Sequence, residues 1–171
     1  MNTLVSRRAF VFTLAAMAMV NGLPTQSHAR RKDSRVRVME MVLRQAIDLD
    51  VSLSLALAVA HAESNFNALA LSSKGARGVM QIMPATARGV YGITADQLWN
   101  PRTNIRVGLH FLSRLIESYD GHTDIALSHY NGGSAVRRGG RLRVIPATRK
   151  YVTKVKRLQR FYRKKILRGL L

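Results

Sequence analysis
Cysteine is missing from all 171 residues, so the chain can form no disulfide, offer no thiolate as nucleophile or metal ligand, and carry no lipid on a cysteine. Its core must hold by packing. Acidic residues are the second shortage: nine Asp and Glu stand against 28 Lys and Arg, a formal net charge of +19. A field of that sign draws polyanions toward the surface, giving the sign of a partner without identifying it. Aromatic residues make up only 6% of the chain and are scarce near its most basic segment, which argues against a nucleic-acid surface built on base stacking. The five histidines, His28, His61, His110, His122 and His129, lack the spacing of a zinc site. His61-Ala62-Glu63 has the form of the His-x-Glu of zinc deaminases, but that chemistry also needs a Cys-x-x-Cys pair. Neither a metal nor another cofactor is expected.

Long apolar runs are lacking as well. The run from Ala9 to Val20 falls short of the roughly 20 residues a membrane-spanning helix needs. With Arg7 and Arg8 ahead of it and Ser27-His28-Ala29 behind, it reads as a secretory signal over residues 1–29, with cleavage favoured over an uncleaved anchor. Ser6-Arg7-Arg8-Ala9-Phe10 also resembles a twin-arginine signal, so the export route stays open while the destination outside the cytoplasm does not. Removing residues 1–29 takes away two basic residues and no acidic one, leaving +17 on a chain of one-domain length, 30–171.

What is present is helical. Arg30 to Arg37 reads as a frayed lead-in, after which Val38, Met41, Val42, Gln45, Ala46 and Leu49 recur at helical spacing. Val51 to Val59 alternates like a strand, but Ala56, Ala58, Ala60 and Ala62 are strong helix formers and Ser52 is a good N-cap. The segment is apolar on every side, which predicts a helix buried through the centre of the domain. A short helix from Pro84 through Arg88, a turn bracketed by Gly89 and Gly92, and a capping box at Thr94-Ala95-Asp96-Gln97 follow, with that brief helix ending before Pro101. Ile105 to Tyr119 carries the clearest apolar stripe, with Gly121 as its stop, and Thr123 caps a helix over Asp124 to Tyr130. Ser134 to Pro146 reads as a surface loop. Thr148 to Arg168 reads as a last helix, with ten basic residues from Arg149 to Arg168 and no acidic one. It could bind an anionic polymer or membrane lipid, and the plainer reading is a solvated face.

Glu63 stands at the end of the Ala/Leu helix, and no other acidic residue lies between it and Asp96. Apolar surroundings raise a carboxyl pKa, and the negative end of a helix dipole pushes the same way. Glu63 is therefore a candidate general acid.

The residues around it, Glu63-Ser64, Phe66-Asn67-Ala68, Gly75-Ala76-Arg77-Gly78-Val79-Met80-Gln81 and Met83-Pro84-Ala85-Thr86-Ala87, run without a gap. Asn104-Ile105 with Gly108, His129-Tyr130-Asn131-Gly132-Gly133, and Thr148-Arg149-Lys150-Tyr151-Val152 with Val155 follow. Together these resemble the lytic transglycosylase SLT domain family over roughly Ser34 to Leu158. The resemblance implies a mainly α, lysozyme-like single domain with a central buried helix and a substrate groove over its end. It implies cleavage of peptidoglycan glycan strands in the periplasm by one carboxylate, with Glu63 as catalytic acid and base and the substrate's acetamido group in place of a second carboxylate. Ser72 is then the serine that hydrogen-bonds the carboxyl or that acetamido group, Met80 and Gln81 are groove residues, Tyr130 and Asn131 steady the acid and bind sugar, and Tyr151 is the late site tyrosine. Met80 between Val79 and Ile82 also reads as core filling. Were the enzyme a hydrolase of the goose-type lysozyme kind, Asp96 and Asp124 would be the candidate second carboxylates, although both read as helix starts. A catalytically silent cationic binder of the wall is the other reading. Ala68 stands where the family has proline, predicting a looser loop, and His129 and Gly132 stand where it has alanines. Whether such an enzyme serves wall recycling or a secretion or flagellar machine is left open.

Overall fold
The computed structural model describes residues 26–138 and 141–171, so the expected signal segment lies outside the described residues except for 26–29. Helix α1, Gln26–Asp48, buries Val38, Val42 and Ala46 on its inner stripe. The expected frayed lead-in is helical instead. Arg35 accounts for part of this: its guanidinium lies 4.9 Å from the centre of the Phe66 ring and hydrogen-bonds the Asn65 side chain, fixing α1 against the end of the next helix.

Helix α2, Leu53–Ser64, is buried on all sides from Ser54 to Ala60. Ser52 is its N-cap by position, but its hydroxyl pairs with Ser54 instead of a backbone N–H. Asn65 ends α2 in the left-handed region at φ 53°, returning its N–H to carbonyls of the last turn.

Helix α3 runs Pro84–Tyr91 and stops at Gly92, φ 64°. It passes straight through Gly89, which the sequence had suggested as a turn. Helix propensity at one glycine costs only about 1 kcal/mol, and Tyr91 gains a hydrogen bond to His110 at 3.0 Å. Thr94 and Gln97 form the reciprocal box, with Thr94 N–H donating to Gln97 at 2.8 Å ahead of a 3-10 turn at Asp96–Trp99.

Helix α4, Pro101–Ser118, opens a turn earlier than its apolar stripe shows, because Pro101 both ends one element and begins the next, with Asn100 capping Thr103 N–H. Helix α5 is Thr123–Gly132 and helix α6 is Arg149–Leu167. The expected surface loop between them holds a 3-10 turn at Ser134–Val136, strands β1 (Arg137–Arg138) and β2 (Arg141–Leu142) paired antiparallel, and a second 3-10 turn at Pro146–Thr148. Val136 explains the order, since it is fully buried with Leu115, Tyr119 and Ala126. α6 packs most extensively on α2, with α1 and α5 completing the shell and α4 lying across both. The described residues are thus mainly helical around one buried helix, and among them no helix is long and apolar enough to cross a membrane.

Candidate active site
α2 delivers Glu63 from its last turn, where the fully buried run gives way to half-buried residues. Tyr151, in the first turn of α6, donates its hydroxyl to Glu63 Oε1 at 2.6 Å. Burial pushes the carboxyl up to about 7, against the opposing pull of the Tyr151 hydrogen bond and the Lys154 charge. Desolvation wins because most of the carboxyl's surroundings are protein, although the side chain keeps partial access to solvent. A group poised there can give a proton near neutral pH and take one back.

Tyr130, on α5, has its hydroxyl wholly enclosed and donates to the Met80 carbonyl at 2.9 Å. Burial first, then the Glu63 charge, raise both tyrosines well above their ordinary range, so each stays a neutral donor. The loop carrying Met80 is anchored underneath. Asn104, fully buried on α4, accepts from Met80 N–H at 2.8 Å and donates to the carbonyls of Arg77 and Leu98 at 2.8 and 3.1 Å. A Cβ on Gly78 would meet Asn104 at 2.4 Å, and one on Gly108 would meet Met80 Cβ at 2.4 Å and the Tyr130 hydroxyl at 3.1 Å. Both positions require glycine for this close approach.

The remaining expected residues divide. Gln81 sits at φ 49° with its amide donating to the carbonyls of Ala70 and Gly78 at 3.1 and 2.9 Å, so it braces the loop. Ser72 accepts within its own turn, from Ala76 N–H at 2.9 Å and Lys74 N–H at 3.3 Å. Asn131 follows Tyr130 with an exposed side chain. Met80 is 0% exposed and its side chain packs in the core against Gly108, in keeping with the core-filling alternative.

Ala68 does not loosen its loop, because Ser64 Oγ donates to the Val79 carbonyl at 2.7 Å and accepts from Asn67 N–H, while Asn67 accepts from Leu69 N–H. Gly132 is explained by Thr148, whose methyl would lie 2.6 Å from an added Cβ, and His129 by its 2.7 Å hydrogen bond with the Tyr119 hydroxyl. Asp96 and Asp124 are engaged with Arg77 and Lys156 at 3.1 and 2.8 Å. Among the described residues no cluster of metal-ligating side chains occurs. Sequence reasoning quoted Ser64 and Asn104 only as parts of the motif, without a role, and missed Lys154. Lys154 donates to the Ala62 carbonyl at 2.7 Å, one turn along α6 from Tyr151. Its i+3 spacing from that tyrosine was the available signal. A cleft of about 630 Å³ opens at the C-terminal end of α2, lined by Arg35, Ser64, Asn65, Phe66, Asn67 and Leu69 and not by Glu63.

A helical shell around one buried helix that ends in a desolvated carboxyl is the arrangement of a lysozyme-like domain. The chain belongs to the transglycosylase SLT domain family, whose model matches residues 40–150. It is similar to lytic transglycosylase Slt from Pseudomonas aeruginosa, solved as an inactive Glu-to-Gln mutant, with 27% identity, a TM-score of 0.62 and 79% of this chain covered. It is also similar to the 70 kDa soluble lytic transglycosylase of Escherichia coli at 29% identity and a TM-score of 0.65, with 74% of the chain covered. The complex of the 70-kDa soluble lytic transglycosylase with bulgecin A matches at 28% identity, a TM-score of 0.65 and the same 74% coverage. The chain spans 24% of the length of each of these proteins.

Proposed function
We propose that the protein is a peptidoglycan lytic transglycosylase that cleaves the bond between N-acetylmuramic acid and N-acetylglucosamine without water, using Glu63 alone. The observation that carries this reading is the Glu63 carboxyl, raised to about 7 and held by Tyr151 at 2.6 Å. Protonated Glu63 gives its proton to the bridging oxygen as the muramic acid C1–O bond breaks. The acetamido oxygen of the same sugar closes on C1 and carries the developing positive charge. Glu63, now ionised, removes the proton from the 6-hydroxyl as that oxygen displaces the acetamido group at C1. The products are a free N-acetylglucosamine 4-hydroxyl and a 1,6-anhydromuramic end, and Glu63 is protonated again. Supporting a single carboxylate, Asp96 and Asp124 are both tied to cations. Tyr130 fixes the Met80 loop, and in this reading Ser72, Gln81, Asn131 and Tyr151 face the sugar. The likeness to lytic transglycosylases supports the substrate class, and the Arg7-Arg8 segment supports export to the periplasm with residues 1–29 as signal.

The test is digestion of purified peptidoglycan followed by mass analysis of the released muropeptides. Anhydro ends are expected. Reducing ends would make the protein a hydrolase, and sacculus binding with no release would make it a silent wall binder.

A further inference from the structure
α6 carries more charge than its packing uses. Its buried residues are Val152, Val155 and Tyr162, and no residue beyond Tyr162 is buried. On the opposite face Arg157, Arg160, Lys164 and Arg168 are exposed, and among the described residues Asp124 is the acidic partner of only one α6 cation, Lys156. A merely solvated face would stop there, but this one also exposes large apolar groups. Phe161 is 48% exposed, Leu167 77%, Leu170 59% and Leu171 48%. At 100° per residue Phe161 and Leu167 lie on either side of the sector holding Arg160, Lys164, Arg157 and Arg168. Apolar side chains flanking a block of cations are of no use to an ionic polymer, yet they are what an anionic bilayer surface accommodates: rings and leucines enter the acyl boundary while cationic heads reach the phosphates.

We propose that the distal half of α6, from Arg157 to Leu171, docks the protein on the surface of an anionic phospholipid bilayer. The helix rise puts roughly 24 Å between Tyr151 and Leu167 along the axis. Glu63, which Tyr151 contacts from the first turn of α6, would then lie along the helix from the docked stretch and not within it. The inference does not depend on the reaction proposed above.

The absence of cysteine allows a local test in the full chain. Single variants Phe161→Cys, Leu167→Cys and, on the loop after α2, Leu69→Cys are labelled with an environment-sensitive fluorophore. Each is then mixed with vesicles of phosphatidylglycerol and phosphatidylethanolamine or of phosphatidylcholine alone. A blue shift with rising emission is expected at 161 and 167 with the anionic vesicles, and none at 69. A shift at all three positions, or none at 161 and 167, overturns the proposal. In the labelled Leu167→Cys chain, Arg160→Gln and Lys164→Gln should each weaken the partitioning about five-fold, and Phe161→Ser about ten-fold. Loss with the two charge changes but not with Phe161→Ser would mean charge adsorption without insertion of the apolar side chains, and would overturn the proposal. Peptidoglycan digestion by the Arg160, Lys164, Phe161 and Leu167 variants is expected to be unchanged, which separates this outcome from failure of the catalytic reading.

Discussion

At the scale of single residues, Glu63 sets both activity and stability. Glu63→Gln removes the proton donor and is expected to lower turnover of peptidoglycan about a thousand-fold, measured as muropeptide release. The same change acts oppositely on folding. The Glu63 carboxyl is raised from 4.5 to about 7, so between those values the native state holds a proton that the unfolded chain has lost, and stability falls as pH rises. The contribution is fully present below 4.5 and lost on passing 7. At pH 8 the Gln variant should therefore be the more stable protein, by an amount on the order of 2–3 kcal/mol once partial solvation is allowed for. Denaturant titrations of both proteins at pH 4 and pH 8 would show it, and equal pH dependence would rule out a desolvated carboxyl. Tyr151 tunes the same group. Its hydrogen bond favours the ionised form, so Tyr151→Phe should raise the Glu63 pKa and move the alkaline limb of the activity profile to higher pH. A limb that stayed in place would mean that another group titrates.

Between the elements, the loop with Met80 is held by one side chain on α4. Replacing Asn104 by Ala would strand the Met80 N–H and the Leu98 carbonyl in the core, while the Arg77 carbonyl would keep the Ile82 N–H at 3.1 Å. At 1–3 kcal/mol for each group left unpaired, a loss of roughly 3 kcal/mol is expected, read as an earlier denaturant midpoint. Gly108→Ala should cost about 1–3 kcal/mol by overpacking and should also lower activity, since its methyl would press on Met80 and on the Tyr130 hydroxyl. The central helix was legible in the sequence because alanines at 56, 58, 60 and 62 outweigh a strand-like alternation. The contact of Tyr151 with Glu63 was not legible from pattern, since 88 residues separate them and only resemblance pointed to both. Asn104 was legible as part of the Asn104-Ile105 and Gly108 block, but not its role as the loop's anchor, since its partners Met80, Arg77 and Leu98 lie elsewhere in the chain. Helix ends misled for a local reason: Gly89 and Pro101 break helices on average, and here tertiary bonds at Tyr91 and the cap at Asn100 decide.

For the whole molecule, the net charge of +19 opposes folding. Among the described residues only the pairs Arg77–Asp96 and Lys156–Asp124 set opposite charges in contact. Pairs as exposed as these contribute about 0–1 kcal/mol each, and salt weakens them. Salt also screens the mutual repulsion of the α6 cations, because at 0.1 M the screening length of about 10 Å is shorter than most of their separations along the helix. Repulsion among many exposed cations outweighs two weak attractions, so the melting temperature should rise, by roughly 2–4 °C, as sodium chloride goes from about 20 to about 300 mM. A melting temperature that fell would mean that the two ion pairs dominate. The same reasoning couples to the docking surface, since Arg160→Gln with Lys164→Gln should raise the melting point at low salt while weakening the hold on anionic vesicles. A change that stabilises the fold and impairs binding would place those two cations in the service of the surface they face and not of the core behind them.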